Sequence, residues 1–125
     1  MVKRKTTDNL PSNELAEKFE MIQPILLSIY YEMSELSKKK QDGVLNELKV
    51  KVINNILKQV KSILSNEPTK NYLDLLDDGA LPTNSDTVLM LASFKVAMNQ
   101  FKAKYHGYDR NRGGDRWFTK EDPKK

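Results

Sequence analysis

The chain has 125 residues, 38% hydrophobic and 30% charged, with a formal net charge of +4; this predicts one globular domain and excludes both a second core and a disordered polymer. It holds no cysteine and a single histidine, His106, which excludes disulfides, thiolate nucleophiles, sulfur-ligated zinc and multi-histidine metal sites. No stretch approaches the roughly 20 apolar residues of a membrane span. The basic start Met1–Lys5 leads into Thr6–Asn9 rather than an apolar signal core, so the expectation is a soluble, cytoplasmic protein without membrane contact.

Residues 1–11 are polar and charged and read as a flexible N-terminal arm ending at Pro11. Order is expected from Ser12 or Asn13, either of which can accept free N–H groups of a first helical turn, with Glu14 and Glu17 set against the positive end of the dipole. From there Leu15, Phe19, Ile22, Leu26, Ile29, Met33 and Leu36 alternate by four and three, one helical face. Pro24 removes one hydrogen bond of this helix, and a kink or a junction is expected there.

Lys38–Lys40 closes the first helix, and Asp42-Gly43 reads as a turn whose Asp caps the next one. The second helix is predicted over 44–64, with a broad stripe of Leu45, Leu48, Val52, Ile53, Ile56, Val60, Ile63 and Leu64. Lys49 projects into that stripe and is read as an edge residue with its ammonium in water. A short third helix is expected from Pro68, carrying Tyr72, Leu73, Leu75 and Leu76 and ending at Gly79. A fourth, capped by Ser85, places Leu91, Phe94, Met98, Phe101 and Tyr105 on one face and closes at Gly107. Met21, Met33, Met90 and Met98 are read as core filling.

The expected architecture is all-α: a small bundle of three long helices and one short one over 12–106, followed by a basic tail over 107–125 that is flexible or docked. Two long helices joined by a few residues can equally form a hairpin that dimerises.

Candidate sites lie on the surface. Leu36–Ser65 carries seven lysines against Asp42 and Glu47, whereas Asn66–Met90 carries Lys70 against five acids. Lys51, Asn54, Lys58 and Lys61 recur at about one helical turn, a spacing that suits successive phosphates, although a charge run is also an ordinary solvated face. In the tail, Tyr108, Arg110, Arg112, Arg116, Trp117 and Phe118 mix aromatics with arginines around Gly113-Gly114. This composition suits stacking on bases, and Trp117-Phe118 reads alternatively as a clasp docking on the chain itself or on a partner.

The cluster Asp74, Asp77, Asp78 with Gly79 fails the spacing of a calcium loop, whose third and twelfth positions would be Leu76 and Ser85. Glu32 and Glu35 on one helical face, like Glu14 and Glu17, form ordinary outer surface rather than a paired-carboxylate site. Neither GxxxxGK[ST] nor GxGxxG occurs, and no Glu-x-x-His pair is present. The expectation is a non-catalytic helical interaction or assembly module that binds a protein partner or itself, a subunit of a nucleic-acid-handling complex, with no cofactor, metal or catalytic residue. The alternative is direct nucleic-acid binding through the basic helix face and the arginine-aromatic tail.

Overall fold

The computed structural model describes residues 10–77 and 79–123. Three α-helices, α1 (Asn13–Lys39), α2 (Glu47–Ile63) and α3 (Asn84–Tyr105), are joined by a 3-10 turn (Pro68–Tyr72) and followed by two antiparallel strands, β1 (His106–Asp109) and β2 (Gly114–Trp117). The protein is mostly helical, but the strands correct the all-α expectation. The region 1–9 of the predicted arm lies outside the described residues, and Leu10 and Pro11 are buried.

Ser12 caps α1 by accepting the Leu15 N–H at 3.0 Å, and the helix runs on through Pro24. Phe19, Ile22, Leu26 and Met33 are buried as their spacing requires, whereas Met21 is 67% exposed and belongs to the surface. Asp42 does not cap α2. Asn46 does, accepting the Lys49 N–H at 2.8 Å, because the preceding residues form a connection stitched to the start of α3. There the Asn84 N–H donates to the Gly43 carbonyl at 2.7 Å and the Leu45 N–H to Pro82 at 2.9 Å, while the Asn84 amide donates to the Lys40 carbonyl at 2.8 Å. A Cβ on Gly43 would stand 2.8 Å from that amide nitrogen, so the close approach requires glycine.

The buried face of α2 differs from the predicted stripe. Val50, Ile53, Leu57 and Val60 face the core, while Leu48 and Val52 point outward. Beyond the 3-10 turn the chain is extended rather than helical. Leu73 and Leu76 are buried there, and the Asn54 amide secures the segment by donating to the Leu76 carbonyl at 2.9 Å and accepting its N–H at 2.8 Å. Thr83, not Ser85, caps α3 through the Asp86 N–H at 3.1 Å. Leu91, Phe94, Met98, Phe101 and Tyr105 are all buried, completing a core shared by the three helices.

The predicted tail folds back. Gly113, at φ 73°, makes the left-handed turn between the strands. The Phe118 N–H then donates to the Tyr105 carbonyl at 2.7 Å and the Lys120 N–H to Pro11 at 2.9 Å. Thr119 donates to the Asn13 side chain at 2.6 Å, so the C-terminal segment closes over the start of α1.

Candidate functional site

The hairpin is held by side chains that the sequence offered as binding residues. The Trp117 ring lies 5.1 Å from Phe19, 5.9 Å from Phe101 and 5.2 Å from His106, centroid to centroid. Its indole N–H donates to Glu20 at 2.8 Å. Phe118 is buried beneath the Arg116 guanidinium, 4.3 Å from the ring centroid. The clasp is therefore closed on the chain itself.

Arg116 is mostly buried. It pairs with Asp109 and donates to the carbonyls of Trp117 at 2.8 Å, Asp122 at 2.7 Å and Pro123 at 3.1 Å. Arg112 makes a two-pronged pair with Asp122 at 2.7 and 2.8 Å. The Arg116 hydrogen bond holds the Asp109 carboxyl below its ordinary range, and Arg112 does the same for Asp122. These arginines thus fasten the end of the fold, leaving Arg110 and Tyr108 exposed at the hairpin.

The basic face of α2 is divided in the same way. Asn54 is committed to Leu76, and the Lys61 ammonium donates to the Leu73 carbonyl at 2.8 Å. Lys51 and Lys58 are exposed, their ammonium groups form no hydrogen bond or ion pair among the described residues, and they line a shallow basin of about 460 Å³ with Glu47, Leu48 and Asn55. Of the acidic cluster, Asp77 turns its carboxylate back on the Gly79 N–H at 2.7 Å, and Asp78 lies outside the described residues. Among the described residues no cluster of three metal-ligating side chains forms.

A buried polar group joins the 3-10 turn to α3. Glu67 accepts the Tyr105 hydroxyl at 2.7 Å and pairs with Lys104 at 3.2 Å. Burial, reinforced by the Glu67 carboxylate, raises the Tyr105 pKa above its ordinary value. The group satisfies itself and ties Tyr105 into the core.

One surface was missed by the sequence reading. Tyr72, Leu89 and Val96 are 83%, 70% and 53% exposed, and all three line one shallow groove of about 360 Å³ between the 3-10 turn and the outer side of α3. Leu89, Ala92, Ser93, Val96 and Gln100 follow one side of that helix and line the groove. The signal was present as Leu89 and Val96, seven apart and off the Leu91–Tyr105 stripe.

No protein-family model, curated protein or solved structure matches this chain. Among the described residues no helix is long and apolar enough to cross a membrane.

Proposed function

We propose that the protein is a non-catalytic helical bundle that serves as an interaction module, receiving the apolar side of an amphipathic helix in the groove formed by Tyr72, Leu89 and Val96. The observation that carries this reading is the convergence of three large, exposed apolar side chains on one concave surface. Isolated exposed leucines need no explanation, whereas a rimmed apolar patch is what partner surfaces present. A partner helix with apolar residues at i, i+3 or i+4, and i+7 matches a groove that itself follows a helix.

The test is selection from a displayed library of amphipathic helical peptides against the full chain, followed by Leu89→Lys and Val96→Lys. Selected peptides are expected to lose binding to both variants while the melting temperature stays unchanged, since both positions are exposed. Failure to select any peptide, or binding indifferent to both changes, overturns the reading. A second reading, contact with phosphates as part of a nucleic-acid-handling assembly, is supported by Lys51 and Lys58. Two such cations give a slope of log affinity on log salt of about −1.8 on duplex DNA, and neutralising both should flatten it.

A further inference from the structure

The first eleven and last twenty residues carry the whole net charge of the chain. Residues 12–105 hold twelve Lys and Arg and twelve Asp and Glu, whereas 1–11 and 106–125 together hold nine against five. These two stretches are remote in sequence, and the fold brings them to one end of the bundle. The Lys120 N–H donates to the Pro11 carbonyl at 2.9 Å, the Asn13 N–H donates to the Glu121 carboxylate at 2.9 Å, and Arg112 ties the hairpin turn to Asp122. Lys5 stands five residues before Leu10, at most about 18 Å of chain, and Lys124 follows Pro123 directly.

Much of the charge inside the hairpin cancels. Arg116 and Arg112 are committed to Asp109 and Asp122. The surplus therefore belongs to Arg110, Lys120, the run Lys3–Lys5 and the pair Lys124-Lys125, against Asp8, Asp115 and Glu121. The helix ends beside them do not offset it, because Glu14, Glu17, Glu20 and Glu67 stand there together with Lys18, Lys61, Lys102 and Lys104.

An exposed aromatic ring adjoins this end. Trp117 and Phe118 are spent on the fold, whereas Tyr108 is 61% exposed. With Arg110 and Asn111 it lines an open hollow of about 580 Å³ on the hairpin, reaching Phe118 and Pro123. A ring and a guanidinium in the open can stack on an unpaired base, whose faces a duplex hides, and the surrounding cations suit phosphates.

We propose that this end of the molecule binds single-stranded nucleic acid, with phosphates held by cations of both terminal segments and a base stacked on Tyr108. The inference rests on the nucleic-acid reading given second above, and assigns it a place at the joined chain ends rather than on α2. A strand of nucleotides presents a phosphate and a flat π-face at every unit, the two features that coincide here. An acidic peptide answers only the charge.

The test is fluorescence anisotropy of labelled single strands of DNA and of RNA, about 12 nucleotides long, with the full chain over a salt series. Contact of about four to six of these cations with phosphates gives a slope of log affinity on log salt of about −3 to −4. Lys3→Gln, Arg4→Gln and Lys5→Gln together, or Lys120→Gln, Lys124→Gln and Lys125→Gln together, should each flatten the slope by about 1 to 2 with the melting temperature unchanged. Tyr108→Ala should weaken binding about tenfold without altering the slope, and Tyr108→Phe should restore it. Polyglutamate of the same length should be indifferent to Tyr108→Ala. On these single strands Lys51→Gln with Lys58→Gln should leave the slope unchanged, and Leu89→Lys should leave the affinity unchanged, so failure here is separable from failure of either reading above. A flat salt dependence, a slope reduced only by the Lys51 and Lys58 changes, or a slope that one terminal set controls alone would each overturn the proposal. So would strand binding unchanged by Tyr108→Ala, or polyglutamate binding weakened by it to the same extent.

Discussion

Trp117→Ala tests whether the C-terminal hairpin is part of the fold. Replacing a fully buried large aromatic by alanine costs about 3 to 5 kcal/mol. Trp117 is half-buried against Phe19, Phe101 and His106, so about 2 kcal/mol is expected from lost packing. Loss of its hydrogen bond to the exposed Glu20 adds about 0.5 to 1 kcal/mol. For a chain of this size each kcal/mol lowers the melting temperature by about 3 to 5 °C, so a fall of about 8 to 15 °C should appear in thermal unfolding followed by circular dichroism. Trp117→Phe keeps a ring in place and loses the indole N–H, and should cost about 1 kcal/mol. A shift under about 1 °C for the alanine variant would refute the docked hairpin, because a side chain in water contributes nothing to the folded state. The same numbers change what Trp117 and Phe118 substitutions can reveal about partners, since they damage the fold before they touch an interface.

Three further outcomes follow from particular contacts. Asp109 and Asp122 have folded-state pKa values held below the unfolded one by Arg116 and Arg112, so their contribution is complete above about pH 4 and lost as pH falls through the lower folded values. Emission of the only tryptophan, Trp117, should therefore shift to the red on acidification below about pH 4 while helical circular dichroism persists; a shift instead on raising pH from 5 to 8 would contradict the assignment. Asn54→Ala removes both bonds to Leu76 and should cost about 2 kcal/mol in chemical denaturation, an unchanged midpoint being the refuting result. Phe19→Ala, at a site fully buried between Phe101 and Trp117, should cost about 3 to 5 kcal/mol, and a loss below about 1 kcal/mol would show that the three aromatics do not pack as one cluster.

The helices were legible because their causes are local. Ser12 caps α1, and Leu91 to Tyr105 repeat at the spacing of a single helical face, which is buried as read. The α2 stripe was misread for a physical reason. Apolar residues cover more than half of its circumference, and periodicity alone does not say which part meets the core. Leu48 and Val52 fell outside because α1 and the extended segment secured by Asn54 occupy the other side. That segment itself departs from the predicted short helix, its Leu76 backbone bonding to Asn54 instead of to a helical neighbour.

The sites followed the same division. Composition and spacing identified Arg112, Arg116, Asn54 and Lys61 as polar groups of note, but a long polar side chain serves a ligand or its own fold according to what lies within about 3 Å, and those neighbours are remote in sequence. Lys61 meets a carbonyl across a turn, and Trp117 meets Glu20 across nearly the whole chain. By itself the sequence determined the three helices and most of their core faces, through capping and periodicity that act within a few residues. The tertiary structure alone decided that the tail is a docked hairpin, which lysines remain exposed, and where apolar surface is left uncovered, because burial depends on contacts between elements that no local pattern encodes.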